Sequence, residues 1–334
     1  METATKRDLR SREQKRRDAA ADKRERVTLS FYRYVRVNDP QEFRQRLLTK
    51  WSELACLGRI YVASEGINAQ MNVPKMYWDL FDAWVQNQPE LKGIPYKIAV
   101  EEGEKPSFFK LAIKVRPKVV ADGLDDSSFD VTNTGAYLTA AEMNEYIDDP
   151  EAVVFDMRNN YESEVGHFEN AITPDDFVTF RDELKRTPEL LRIHKNKKLA
   201  IYCTGGIRCE KASAWLKHNG FKDVKHLKGG IIDYKRQVEE QGLENKFKGK
   251  NFVFDERLGE RISDEIISTC HLCHKTKCDT HHHCKNQICH DLFIGCDDCI
   301  DMRKGYCSKK CELVDKLPAR QQKVLARYYN QYIR

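Results

Sequence analysis

The sequence predicts a multidomain chain of mixed α/β and α+β class: an α+β sandwich, then a parallel-sheet α/β domain, then a small cysteine-rich metal module. Three observations carry this. Strand-like and helix-like segments follow one another in β-α-β-β-α-β order between Thr28 and Val115. Short apolar runs alternate with helical segments from Val153 to Leu227, the pattern of buried parallel strands. Nine of the 12 cysteines fall between Cys270 and Cys311.

Composition narrows the function classes. The 334 residues include 57 basic and 52 acidic side chains, a formal net charge of +5. So mild an excess does not by itself imply nucleic acid; its distribution is more telling. No apolar run approaches membrane-spanning length and no signal-peptide pattern is present, so no membrane role is expected. The cysteines therefore read as a reduced set in the cytoplasm: a free catalytic thiol and a zinc module, rather than disulfides.

Residues 1–26 form a basic tail that includes Lys6, Arg7, Arg12, Lys15 and Arg16. It fits a solvated, partly helical arm or an arm that follows an RNA backbone. Residues 27–118 are the sandwich. Thr28 to Val37 is rich in aromatic and β-branched residues and reads as a strand. Asp39-Pro40-Gln41-Glu42 starts a helix like a capping box, with proline at the first helical position. Phe43, Leu47, Leu48, Trp51 and Leu54 line one side of that helix. Arg59 to Ala63 is a strand, Ser64 to Gln70 a polar turn, and Met71 to Val73 its continuation. A second helix over Met76 to Val85 and strands over Tyr96 to Val100 and Phe108 to Val115 complete a ferredoxin-like order. Many RNA-binding domains share that outline, but no clear aromatic base-stacking signature marks its inner strands.

Residues 119–135 are an acidic linker around Asp122 to Ser128. Residues 136–246 are the parallel-sheet domain, opened by a helix over Leu138 to Ile147. Val153-Val154-Phe155 and Leu199-Ala200-Ile201-Tyr202 are buried strands. Cys203 ends the second. Glu210 to Asn219 reads as a helix with Ala212, Trp215 and Leu216 on one face, and Gly220 stands where a left-handed cap belongs. Between strand and helix, Gly205 and Gly206 let the backbone fold tightly, so that N–H groups point at the Cys203 sulfur. The helix N-terminus and Arg208 add positive potential, and all three effects favour a thiolate. Ligands of such sheets bind beyond the C-terminal strand ends, where Cys203 and the Asp156–Arg158 segment both fall. The Asp156–Arg158 pair and His167 read as structural. A loop this short predicts a shallow pocket at the sheet edge.

Residues 247–334 hold the cysteine-rich region. Lys248, Lys250, Arg257 and Arg261 precede it as a basic stripe that would touch phosphates, or as part of a charged connector clamped by aromatics. The candidate zinc ligands are Cys270, Cys273, Cys278, Cys284, Cys289, Cys296, Cys299, Cys307 and Cys311. Two C-x-x-C pairs and a C-x-x-x-C pair suit tetrahedral thiolate sites, enough for two structural zinc ions, but spacing does not choose the pairing. With so few large apolar residues, metal would supply the folding energy. Leu317 to Arg334 is a basic helix carrying Tyr328, Tyr329 and Tyr332, suited to core packing or to RNA contact.

Three strings resemble the rhodanese domain: D-x-R-x-x-x-E-x-x-x-G-H from Asp156 to His167, C-x-x-G-x-R-C from Cys203 to Cys209, and G-G-x-x-x-Y from Gly229 to Tyr234. With SFYRY (Ser30 to Tyr34), EGINAQ (Glu65 to Gln70), VADGLDD (Val120 to Asp126), GKNFVFDERLGERISDEII (Gly249 to Ile267) and the cysteine cluster, residues 27–311 are similar to the rhodanese-like tRNA uridine-34 hydroxylase family. The resemblance implies oxygen-dependent conversion of the wobble uridine to 5-hydroxyuridine, with a tRNA anticodon stem-loop as partner, molecular oxygen as co-substrate and no obligate protein partner. C5 of uracil is too electron-poor to take oxygen unaided; a thiolate adding to C6 makes an enolate nucleophilic at C5. Cys203 would be that nucleophile, or would hold oxidised or persulfide sulfur. Arg208 and the loop N–H groups would stabilise the anion, and Cys209 would resolve an oxidised Cys203. Gly205, Gly206, Lys248, Lys250, Arg257 and Arg261 would bind substrate. No clear two-histidine-one-carboxylate iron pattern stands in the rhodanese-like region, and no dinucleotide fingerprint for flavin or nicotinamide, so how oxygen is activated does not follow from the sequence. The rival readings are a sulfurtransferase passing persulfide sulfur from Cys203 to an acceptor, and a non-catalytic RNA-binding or redox-sensing protein.

Overall fold

Alternation along three strands decides how the first domain meets the rest. A computed structural model describes residues 10–100, 106–125 and 128–332, with side chains as far as residue 327. Helix α1 (Arg12–Ala21) leads into β1 (Arg26–Tyr34), α2 (Pro40–Glu53), β2 (Leu57–Ala63), β3 (Gly66–Pro74), α3 (Trp78–Gln86), β4 (Lys97–Ile98) and β5 (Leu111–Val115). The Asp39 carboxylate caps α2 through the Gln41 and Glu42 N–H groups, with Pro40 in the first turn. The strands lie in the order β4-β1-β3-β2-β5. The first four positions are the ferredoxin-like order, and β5 adds to β2 in parallel. Leu29, Phe31, Ile60, Val62, Ile67, Ala69 and Met71 point into a core closed by Phe43, Leu47, Trp51 and Phe81 of the two helices. The period of two sends the intervening residues to the opposite face: Thr28, Ser30 and Tyr32, Arg59 and Tyr61, Asn68 and Gln70.

The second domain runs β6 (Ala136–Leu138), α4 (Ala140–Asp148), β7 (Ala152–Asp156), α5 (Asn160–Ser163), β8 (Gly166–Phe168), α6 (Phe180–Leu190), β9 (Lys198–Tyr202), α7 (Ile207–His218), β10 (Asp223–Leu227) and α8 (Gly230–Gln241). Its parallel sheet has the order β6-β10-β9-β7. Both faces are covered. Phe155, Leu199 and Ile201 pack with Leu184, Ala212 and Leu216. Val154, Ala200 and Tyr202 pack with Met143, Ile231 and Tyr234. Two boundaries differ from the sequence reading. Leu138 belongs to a strand beside β10, because the Thr139–Glu142 capping box starts the helix only after it. Helix α7 begins at Ile207, three residues ahead of Glu210, because Gly206 at φ +94° serves as its N-cap.

The last region holds β11 (Phe247–Asn251), β12 (Glu260–Arg261), β13 (His281–His283), β14 (Leu292–Ile294), α9 (Asp297–Arg303), α10 (Lys309–Asp315) and α11 (Ala319–Tyr332). Strand β11 pairs with β8 and so ties this region to the second domain. Lys6, Arg7 and Asp126, and the side chains of Tyr328, Tyr329 and Tyr332, lie outside the described residues. Among the described residues no helix is long and apolar enough to cross a membrane.

A buried clamp sets the first domain against the second. Ser64 and Glu65 form the β2–β3 turn. Glu65 Oε1 accepts from the Val119 N–H at 2.8 Å, and Oε2 pairs with Lys211 of α7 at 2.9 Å. Lys211 also lies 3.3 Å from Asp122. Gly66 at φ +142° is required here, since a Cβ would stand 2.0 Å from the Arg33 carbonyl oxygen.

Candidate active site and metal centres

Cys203 follows β9 at the floor of the loop and is 1% exposed. The Gly206 N–H donates to its Sγ at 3.1 Å. Burial pushes this thiol up. The Cys209 thiol donating to it, the Arg208 charge and the N–H groups of Cys209 and Gly206 outweigh burial and bring it down to about 5. Cys209 is driven the other way, well above its ordinary value, by burial and by the sulfur it faces. The pair is therefore one thiolate and one thiol at neutral pH.

The other strings hold this loop in place. The Arg208 guanidinium makes two bonds to the Glu162 carboxylate, at 2.7 and 2.8 Å, with both groups buried. Asp156 and Arg158 form a second buried two-bond pair, and the Tyr202 hydroxyl donates to Asp156 at 2.8 Å. Arg158 also donates to the Gly166 carbonyl at 2.5 Å, joining β7 to β8. The Ile231 and Ile232 N–H groups donate to the carbonyls of Cys203 and Thr204. That contact needs Gly230, where a Cβ would lie 2.5 Å from the Cys203 oxygen. His167 Nδ1 sits 2.9 Å from the Ser163 carbonyl, a structural bond as expected.

The pocket is not shallow. The polar face of the first domain's sheet closes over the loop and leaves a cleft of about 700 Å³. One wall carries Ser30, Tyr32, Arg59, Tyr61, Asn68, Gln70 and Lys97; another carries Tyr161, Phe180, Phe254 and Arg257; Cys203, Gly205 and Arg208 form the floor. Cys209 is buried and not in the lining. Tyr32 and Tyr137 both donate to Glu210 Oε1, at 3.1 and 2.8 Å, so α7 is held from both domains.

Eight of the nine clustered cysteines converge as two tetrads, Cys270, Cys273, Cys296, Cys299 and Cys284, Cys289, Cys307, Cys311, with the sulfurs of each within 4.8 Å of one another. Zinc–sulfur bonds of about 2.3 Å in a tetrahedron place sulfurs about 3.8 Å apart. The Cys289–Cys307 and Cys307–Cys311 separations are 3.7 and 3.5 Å, so the residues fit the ion. The hairpin of β13 and β14 carries the chain between the tetrads, which is why both C-x-x-C pairs meet in one of them. Cys278 belongs to neither group; its thiol donates to the Gly295 carbonyl at 3.2 Å.

Residues 26–119 match the UPF0176 acylphosphatase-like domain, residues 139–237 the rhodanese-like domain and residues 248–312 the model described as rhodanase C-terminal. A Leptospira interrogans protein named tRNA uridine(34) hydroxylase is 53% identical over 298 residues, 89% of this chain and 80% of its own length. An Escherichia coli protein of the same name is 53% identical over 293 residues, 87% of this chain and 83% of that one. The chain belongs to the tRNA uridine(34) hydroxylase family.

The four cations of the expected basic stripe are all paired with carboxylates. Lys248 pairs with Glu169 and Glu265, at 3.0 and 2.8 Å. Lys250 and Arg261 share Asp279, at 3.0 and 2.8 Å. Arg257 is buried between Asp255 and Glu260, at 2.6 and 2.7 Å, and is the one of the four that lines the cleft. Carboxylates interleaved in the same segment and its neighbours thus neutralise the stripe. Sequence reasoning passed over Arg59, Asn68, Gln70 and Lys97. For the first three the one signal was the polar half of the alternation on β2 and β3, which an ordinary solvent face would also show; Lys97, on the two-residue strand β4, gave none. It also passed over Glu183 of α6, fully buried, with neither carboxylate oxygen partnered among the described residues. Burial raises that carboxyl well above the usual range and holds it neutral.

Proposed function

We propose that this chain hydroxylates C5 of uridine-34 in tRNA, with Cys203 as nucleophile and molecular oxygen as the oxygen source. The observation that carries the reading is a cysteine held as thiolate, near 5, at the floor of a cleft large enough for a nucleoside. Tyr32, Tyr61, Tyr161, Phe180 and Phe254 give the cleft aromatic faces, and Asn68 and Gln70 give it amide donors and acceptors. An anticodon loop is already single-stranded, so its wobble base enters such a cleft at small unstacking cost. The thiolate adds to C6, and C5 becomes the nucleophilic carbon. The loop N–H groups and Arg208 hold the Cys203 sulfur anionic before addition.

The phosphate backbone needs cations elsewhere. Arg12, Arg16 and Lys110 gather around the Phe109 ring, at 5.6, 5.0 and 5.6 Å from its centroid. Burial, then Arg12, Lys114 and Lys15, push the Lys110 ammonium below its ordinary value, which marks this surface as cation-dense. It lies on the basic tail and the segment that leads into β5, and a tRNA substrate supports a cytoplasmic location. The two tetrads hold zinc as structural ions that fix the C-terminal region beside the cleft, and no step of the chemistry passes through them.

The test is nucleoside mass spectrometry of tRNA treated with the protein under air and under nitrogen, with Cys203→Ser beside it. The expected result is 5-hydroxyuridine at position 34 only in air and only with Cys203. Equal modification under nitrogen overturns the hydroxylase reading, and full activity of Cys203→Ser overturns the nucleophile.

A further inference from the structure

The first domain brings one charge to the reactive loop that the chemistry above leaves unused. Lys97 stands on β4, an edge strand, yet is 6% exposed. Its ammonium lies 4.3 Å from the Tyr32 ring centroid. Its stem passes the loop so closely that a Cβ on Gly205 would be 3.9 Å from Lys97 Cδ. The other two buried lysines each pair with carboxylates, Lys211 with Glu65 and Lys246 with Asp148. Among the described residues Lys97 has instead an aromatic ring and the cleft it shares with Cys203. Burial pulls this ammonium down, while the charges of Asp233, Cys203 and Glu210 oppose that pull. The neighbouring cations are already engaged: Arg208 by Glu162, and Arg59 by the Phe254 carbonyl.

We propose, resting on the uridine reading above, that Lys97 is a catalytic residue supplied by the N-terminal domain, whose ammonium stabilises the enolate oxygen formed when Cys203 adds to the base. In that step a sulfur lone pair forms the S–C6 bond. The C5–C6 π pair moves to C4–C5, and the C4–O4 π pair moves onto O4, where a Lys97 N–H donates. Nothing is oxidised or reduced. Protonation of C5 by solvent, loss of the original C5 hydrogen and expulsion of the thiolate regenerate uracil. The C5 hydrogen therefore exchanges with water without oxygen.

The experiment uses the full chain and an anticodon stem-loop tritiated at C5 of uridine-34, under nitrogen. Wild type releases tritium to water. Lys97→Met lowers the rate by about 100-fold while stem-loop binding stays within about threefold, the pattern of a lost oxyanion donor. Lys97→Gln, which keeps length and polarity, falls with it, and Lys97→Arg, which keeps a donor cation, recovers part of the rate. Release by Lys97→Met and Lys97→Gln at the wild-type rate overturns the role of Lys97 and leaves the uridine reading standing. A loss that only tracks weaker binding also overturns it. A wild type that hydroxylates in air yet never exchanges C5 hydrogen overturns the addition to C6, and Lys97 with it.

Discussion

Replacing Cys209 by alanine isolates the strongest favourable contact of the Cys203 thiolate. Burial alone would raise Cys203; the Cys209 thiol is the first group that lowers it, ahead of Arg208, and the balance comes out at about 5. Cys209 is fully buried and pushed well above its ordinary value, so it stays protonated and acts as donor. A hydrogen bond to a charged group contributes about 1.5–3 kcal/mol, and sulfur is a weak donor, which sets the loss near the low end. At about 1.4 kcal/mol per pH unit, the Cys203 midpoint should move from about 5 to about 6 in Cys209→Ala. The thiolate fraction would then drop by about threefold near pH 5.5 and barely change at pH 7. The assay is iodoacetamide labelling of the Cys203 peptide by mass spectrometry across roughly pH 4 to 8. Cys209→Ser keeps an O–H donor and should keep the wild-type midpoint. An unmoved midpoint in Cys209→Ala refutes the donor role. The resolving role expected from the sequence is a separate matter: under peroxide, wild type should form a Cys203–Cys209 disulfide, and both variants should fail to.

Glu183→Gln should stabilise the protein at pH 7 and have no effect below about pH 4, measured by urea unfolding at both. The sign follows from a raised folded value: wild-type stability from this group is intact below the unfolded value of about 4.3 and is lost as pH rises towards the folded one. Equal stability at pH 7 would mean that the carboxyl has a partner. Metal analysis of protein purified without chelator should find two zinc ions per chain; Cys273→Ser should lose one, whereas Cys278→Ser should keep both. A Cys278→Ser protein short of one zinc would redraw the tetrads. Arg158→Ala should cost about 3–5 kcal/mol in unfolding free energy, because it leaves Asp156 buried and unpaired; a loss under about 1 kcal/mol would show that water reaches the site. Arg12→Ala with Lys110→Ala should weaken tRNA binding and lower its log–log salt slope by about 2, one per phosphate contact. Binding that ignores salt would remove the cationic surface from the reading.

What the sequence made legible was local. The Cys203 loop is seven residues of contiguous chain, and the two glycines and Arg208 announce its geometry by themselves. The helix cap at Asp39, the left-handed Gly220 and the thiolate character of Cys203 follow from neighbours in sequence. Charge pairing was not legible. Lys250 and Arg261 are recognisably basic, but Asp279 reaches them only because β11 and β12 run together beside the chain that leads into β13. The cysteines split the same way: spacing named the ligand type, while a hairpin between the pairs decided which four meet.

The cleft itself lay furthest from sequence reach, and the reason lies in the β2–β3 turn. Ser64 to Gln70 is chemically an ordinary hairpin corner. In the folded chain its two turn residues do what a corner does, while Glu65 Oε2 reaches Lys211 on α7, the helix that begins at the reactive loop. Because the polar face of β1, β2 and β3 is continuous with that turn, anchoring Glu65 helps bring Tyr32, Arg59 and Gln70 to the cleft, with Lys97 of β4 beside β1. A sheet face of alternating polar residues, indistinguishable in sequence from one that faces water, becomes a wall of the site through contacts as remote in sequence as Glu65–Lys211, 146 positions apart, and Tyr32–Glu210. Family strings such as EGINAQ then have a physical content: the glycine permits the tight turn, the glutamate docks the domain, and Asn68 and Gln70 face the cleft. Cys203 at the floor and the polar groups on the opposite wall belong to different domains, so the cleft between them exists only when the two are docked.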